Sequence, residues 1–288
     1  MKKYIILLLI IISACLILIN SIKIERFNNN YKFIALSYDN STSSTNTDNL
    51  INLFENNGYN YKIIGKNKKW EGWYGRTMEY VNTINELITD EDSDESDYYI
   101  LLCDGRDVLV NENYEIFIKK AIQIYNKHNQ SIIFGAERHC CEGNTGINQD
   151  STYKDKMIDI AKDKTKYDYY YLNFGLMFGK ATDIKRFFET IDIQPGGTDQ
   201  SLAVIEFCKN PDKYWIDYDQ ELFSNHSGEC KLTWDDNAKK YRHSVTNTYP
   251  SLIHFPGNNW DCYKDCADKL FENFNSIPIF IDSKYRDE

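Results

Sequence analysis

The chain has 288 residues, enough for one large α/β domain or two small ones. Its formal charge of -10, with no basic cluster beyond Lys66, Lys68 and Lys69, excludes a nucleic-acid partner, which would need Lys and Arg gathered on one face.

Met1-Lys2-Lys3 is basic, and Tyr4 to Ile22 is apolar except for Ser13, Asn20 and Ser21. Such a stretch is just long enough to span a bilayer, which takes about 17 to 25 residues. The flanking lysines keep the N-terminus cytosolic. The expectation is an uncleaved signal-anchor over 1–22, with a cleaved signal peptide as the alternative. A short stem follows over 23–30. The soluble part, 31–288, would then face the ER or Golgi lumen or the exterior, as in a single-pass type II membrane protein. That compartment permits disulfides and glycosylation at the sequons of Asn40, Asn129 and Asn225. Beyond Cys15 there are seven cysteines, an odd number, so at least one stays free; Cys103, inside an apolar run, is the natural buried thiol.

Tyr31 to Ser37 reads as a first strand, followed by a polar loop over 38–48. Leu50, Ile51, Leu53 and Phe54 have helical spacing, and Gly58 stops that helix. Tyr61 to Ile64 is a second strand. This β-loop-α-β opening is the signature of a parallel sheet wrapped by helices. A loop is expected over 65–75 and a helix over 76–87. The acidic run Asp90 to Asp97 is a solvated loop without the spacing of an EF-hand. Tyr98 to Cys103 is the most buried-looking strand and runs straight into Asp104. A helix over 114–127 and a strand over 131–136, ending at Glu137, come next. Later strands are expected over 172–179 and 252–255, and helices containing 187–190 and 200–208. No repeat or linker divides the chain.

Open α/β sheets bind ligands at the carboxyl ends of their strands. Three strand ends share one chemistry: Asp104 with Asp107, Glu137, and His254. Paired carboxylates repel, and a divalent cation removes the repulsion. A nucleotide diphosphate needs the same cation, so D-x-x-D plus metal holds what neither part holds alone. His254 would complete a set of two carboxylates and one imidazole, which suits Mn²⁺ well and Mg²⁺ or Zn²⁺ less decisively. A surface turn and a structural histidine are the plain alternatives.

The segments Ile100 to Val108 (ILLCDGRDV), Ile133 to Cys140 (IFGAERHC), Tyr171 to Gly179 (YLNFGLMFG), Thr198-Asp199-Gln200 and Ile253 to Asn258 (IHFPGN) occur in this order. In them the chain resembles the glycosyltransferase domain of the procollagen lysyl hydroxylases, the PLOD family. The resemblance covers most of 31–265. It implies an α/β fold of the GT-A type, a UDP-sugar donor and Mn²⁺ held at Asp104, Asp107 and His254. It also implies a protein or glycan acceptor, hydroxylysine of collagen in the family itself, and transfer with retention. No nucleophile stands out for a double displacement.

Glu137 and Asp199 are the candidate catalytic acids that orient sugar or acceptor hydroxyls. Trp73, Arg76, Asn173, Gly257, Asn258 and Lys264 are the candidates for holding the donor, with Trp70 and Tyr114 as further stacking aromatics. Two departures from the family are visible. The acidic run before the Asp-Gln pair is thinned to Gly196-Gly197-Thr198-Asp199-Gln200, and the glycine-rich segment before residue 76 to Trp73-Tyr74-Gly75. The sequence carries no H-x-D iron motif, so lysine hydroxylation is not expected. A metal-dependent sugar-nucleotide hydrolase is a competing reading, but it would need a second metal cluster or a clear nucleophile. A non-catalytic glycan- or nucleotide-sugar-binding protein is the other, and the thinned acidic segment favours it.

Overall fold

In a computed structural model of the chain, the described residues are 31–42, 46–88, 98–140, 151–257 and 259–278. The expected anchor over 1–22, the stem over 23–30, the acidic run and Asn258 lie outside them. Among the described residues no helix is long and apolar enough to cross a membrane. The membrane-spanning helix and the single-pass type II placement are therefore withdrawn.

Six strands form the main sheet: β1 (Lys32–Tyr38), β2 (Tyr61–Ile64), β3 (Tyr98–Asp104), β5 (Ile132–Glu137), β6 (Tyr171–Lys180) and β7 (Tyr214–Asp217), in the order β2-β1-β3-β6-β5-β7. The sheet is mixed. β1 and β2 are parallel, as are β5 and β7, while β6 runs antiparallel to both β3 and β5. Ile100 to Leu102 and Ile132 to Phe134 are almost fully buried, so the inner strands are covered on both faces. This is why they read as continuous apolar runs and not as alternating ones. The covering comes from helices such as α2 (Gly72–Ile88), α5 (Ala181–Ile191) and α6 (Asp199–Lys209), which pack on one another, with α6 also on β6.

A second, three-stranded sheet decides the site. It has the order β4-β11-β8, from Val108–Val110, Leu252–His254 and Phe223–Asn225. β4 begins four residues after β3 ends, so one short turn joins the two sheets. β11 lies antiparallel to β4 with His254 opposite Val108, and parallel to β8 with His254 opposite Asn225. Strand pairing thus carries a residue from position 254 to the end of β3. A hairpin of β9 (Leu232–Asp235) and β10 (Lys240–His243) follows β8. The helix α7 (Trp260–Glu272) follows β11, and the Cys230–Cys262 disulfide, of sequence separation 32, pins its first turn. Cys103, Cys208 and Cys266 are free and buried, as expected for Cys103.

Candidate functional site

Asp104, Asp107 and His254 converge. Their ligand atoms lie within 4.8 Å of one another. His254 Nε2 is 3.5 Å from Asp104 Oδ2 and 3.6 Å from Asp107 Oδ1. Those separations are too long for hydrogen bonds, and Nε2 is a buried nitrogen without a hydrogen-bond partner. The register explains the approach: the backbone N–H of Phe255 donates to Asp107 O at 2.9 Å, locking the strand end to the turn.

The other ring nitrogen is fully used. His254 Nδ1 lies 2.7 Å from Asn225 Oδ1 and 3.1 Å from Asn173 Oδ1. Both amides are fixed in orientation by their own partners. Asn225 Nδ2 donates to Ala136 O at 2.9 Å, and Asn173 Oδ1 accepts from Gly175 N at 2.9 Å. Two oxygens at Nδ1 require a proton there. The neutral ring therefore presents its Nε2 lone pair to the two carboxylates, the arrangement metal-ligating histidines use. Without an ion, a proton takes the position. Burial opposes the charged ring, but Asp107 and then Asp104 outweigh it and raise the His254 pKa to about 9.

Two glycines make room for this packing. A Cβ on Gly175 would sit 2.2 Å from His254 Cε1 and 2.9 Å from Asp104 Oδ2. A Cβ on Gly135 would sit 2.5 Å from Asn225 Nδ2. A glycine inside a strand commonly marks such a close approach, and Gly135 sits at the register shift between β5 and β6.

Beside the three ligand candidates lies a cavity of about 330 Å³, lined by Tyr38, Asp39, Trp70, Trp73, Arg76 and Arg106 together with Asp104 and Asp107. Such a volume suits a small ligand. Trp70 packs edge-on to Trp73 at 5.2 Å and tilts against Tyr38 at 5.9 Å. Trp73 was expected in a loop. It lies in the first turn of α2, one turn before Arg76, and this places the Arg76 guanidinium 4.4 Å over its ring. Arg106 Nη2 donates to Asp39 Oδ1 at 2.9 Å, and this partner holds the Asp39 carboxyl below its ordinary range against the opposing effect of burial.

Arg76, a candidate for holding the donor that also lines this cavity, has its guanidinium between two acids. Nη1 is 2.6 Å from Asp104 Oδ1 and Nη2 is 2.6 Å from Asp199 Oδ2. Burial works against its charge, but Asp199 and Asp104 overcome that and raise its pKa. Burial pushes the Asp199 carboxyl up, and Arg76 offsets part of the rise. From Asp199 the network continues: Gln200 N donates to Asp199 Oδ1 at 2.8 Å, and Gln200 Nε2 to Glu137 Oε1 at 3.1 Å. Asp104, Arg76, Asp199, Gln200 and Glu137 thus form one polar line across the ends of β3, β6 and β5. Glu137 and Asp199 are both buried within it.

The remaining candidates separate. Asn173 touches His254 and so orients that ligand candidate. Gly257 has φ 71° in the turn after β11, a conformation glycine adopts without strain. Lys264 is exposed on α7 and is not among the residues lining the cavity. Tyr114 is half-buried and packs against Phe33 at 5.0 Å. Asn225, named above only as a sequon, is 3% exposed and engaged at His254, so it is no glycan acceptor.

A family model described as the PLOD GT domain matches residues 40–262, more than half of the chain. The chain belongs to the PLOD glycosyltransferase-domain family. It is a glycosyltransferase domain on a mixed α/β sheet, and the Asp104, Asp107 and His254 cluster lies inside the matched region. No curated protein sequence matches. Among solved structures, one similar chain is a glycosyltransferase involved in the glycosylation of the major capsid of PBCV-1. It shares 13% identity and a TM-score of 0.45, over 84% of this chain and 99% of that one. The bifunctional glycosyltransferase WbbM shares 11% identity and a TM-score of 0.41, over 86% of this chain and 52% of that one. A 4-diphosphocytidyl-2C-methyl-D-erythritol synthase from Anaerococcus prevotii shares 10% identity and a TM-score of 0.38, over 66% of this chain and 88% of that one. For this PLOD-family domain, these distant likenesses carry no substrate.

Proposed function

We propose that the chain transfers a hexose from a UDP-sugar to a hydroxyl group of a protein or glycan acceptor, with Mn²⁺ or Mg²⁺ as cofactor. The observation that carries the reading is the buried His254 Nε2, bare of hydrogen bonds and facing two carboxylates beside an aromatic-rimmed cavity. The donor set fits a divalent ion: two hard oxygens, one imidazole of fixed tautomer, and a glycine in place of any side chain that would fill the space. Asp104, Asp107 and His254 would hold the ion, which supplies positive charge where negative charge develops on the departing diphosphate.

The chain's own residues do the rest. Asn173 and Asn225 keep the imidazole turned toward the carboxylates. Trp70 and Trp73 offer apolar faces at the cavity rim for a base or a sugar, the amphipathic contact aromatics provide. Glu137 and Asp199, joined through Gln200, orient the acceptor hydroxyl from the far side of Arg76. A collagen-type hydroxylysine is the acceptor that family membership supports. The test is UDP release by the full chain from a panel of UDP-sugars, with Mn²⁺ and with EDTA, and with and without a hydroxylysine-bearing collagen peptide. Release that needs both Mn²⁺ and one of the sugars is expected. If no sugar gives Mn²⁺-dependent release under any of these conditions, the proposal fails.

A further inference from the structure

We propose that Arg76 is a positioning residue that couples the metal-ligand carboxylate Asp104 to Asp199 at the start of α6; this rests on the metal reading above. Asp104 divides its oxygens. Oδ1 accepts from Arg76 Nη1 at 2.6 Å, while Oδ2 faces His254 Nε2. Arg76 in turn divides its nitrogens, giving Nη2 to Asp199 at 2.6 Å. A guanidinium is a rigid planar fork, so holding one carboxylate at each prong fixes their separation and orientation. The fork itself cannot swing. Its side chain is 9% exposed and lies against Trp73. Asp199 touches no ligand candidate, yet it anchors the group that turns Asp104 Oδ2 toward His254 and Asp107. Asp199 begins the helix that also carries Gln200 and thereby Glu137. The end of β3 and the acids that lead to the end of β5 are therefore joined through one side chain.

The competing account is purely electrostatic, and it has the opposite sign. A cation beside the ligands repels Mn²⁺, so removing it should tighten the metal. Positioning requires that removing it weakens the metal. The experiment is Mn²⁺ binding to the full chain, read from the electron paramagnetic resonance signal of free Mn²⁺, with circular dichroism to confirm the fold. The variants are Arg76→Met, Arg76→Lys, Asp199→Asn and the pair Arg76→Met with Asp199→Asn. Loss of an outer partner of a metal ligand costs about 10- to 100-fold in affinity, and that loss is expected for Arg76→Met. Arg76→Lys should also weaken binding, because one ammonium does not span both carboxylates. Asp199→Asn should weaken it although Asp199 is no ligand, and the pair should bind no more weakly than Arg76→Met alone, since both act through the same contact. Affinity equal to or above wild type in Asp199→Asn overturns the coupling. If Arg76→Met does not fold, the test rests on Arg76→Lys, which keeps the charge: the electrostatic account leaves its affinity unchanged, and wild-type affinity there overturns the coupling. A wild-type chain that binds no Mn²⁺ overturns the metal reading and this inference with it.

Discussion

Gly175→Ala puts the site's packing to a sharp test. The added Cβ would lie 2.2 Å from His254 Cε1, where carbon contacts settle near 3.5 Å, so the ring must retreat by about 1.3 Å. It cannot do so and keep its bonds to Asn225 at 2.7 Å and Asn173 at 3.1 Å. Overpacking of this kind costs about 1 to 3 kcal/mol. For a domain of this size that lowers Tm by roughly 2 to 12 °C. Because the displaced ring no longer presents Nε2 to the carboxylates, Mn²⁺ affinity should fall about 10- to 100-fold. Leu176→Ala is the control. Leu176 is the next residue along β6, so its side chain points to the opposite face, and it is fully buried. Its truncation should cost about 2 to 5 kcal/mol, more than Gly175→Ala, yet leave Mn²⁺ binding intact. Thermal melts and Mn²⁺ titrations of both variants separate stability from site geometry. Wild-type Mn²⁺ affinity in Gly175→Ala would refute the reasoning.

Mn²⁺ binding should release a proton, because the His254 pKa is raised to about 9 without an ion and a ligated Nε2 carries none. Apparent affinity should therefore climb with pH, about tenfold per unit, and level off near 9; a pH-independent affinity between 6 and 8.5 would contradict this. The proton also affects stability: the His254 contribution is complete below the unfolded pKa of about 6.5 and is lost as pH rises through about 9. His226 and His243 act in the opposite direction. Burial lowers their pKa values to about 3 and about 4, so unfolded imidazoles take up protons that the folded ones refuse. Their contribution is complete above about 6.5 and declines as pH falls toward 4, and a Tm that does not drop between pH 7 and 4.5 would count against it. Removing the Cys230–Cys262 disulfide, of separation 32, should cost about 3 to 4 kcal/mol by loop-closure entropy, seen as a lower Tm in Cys230→Ser; an unchanged Tm would contradict this.

Much of this site was legible in the sequence because its strands are buried on both faces. A continuous apolar run ending in Asp104 points to the ligand edge of a sheet, and His254 ends a run of the same kind. What escaped depends on register and on long-range pairing. Asn225 reaches His254 only because β8 and β11 pair in parallel, and nothing local to residue 225 announces that. Gly175 did leave a signal, a glycine inside an apolar strand, which marks a close backbone approach. The start of α2 was misplaced because Gly72 and Gly75 read as loop residues, so the Trp73 and Arg76 pair one helical turn apart was hidden. The helix α7 was overlooked although Cys262, Tyr263, Cys266, Ala267, Leu270 and Phe271 repeat with helical spacing and are all buried.

The most direct measurement of the central claim is calorimetric titration of UDP into the full wild-type chain and Asp107→Ala, each with Mn²⁺ and with EDTA. The account requires UDP binding by wild type with Mn²⁺, none with EDTA, and none in Asp107→Ala under either condition. UDP binding that persists in EDTA, or in Asp107→Ala, would contradict it.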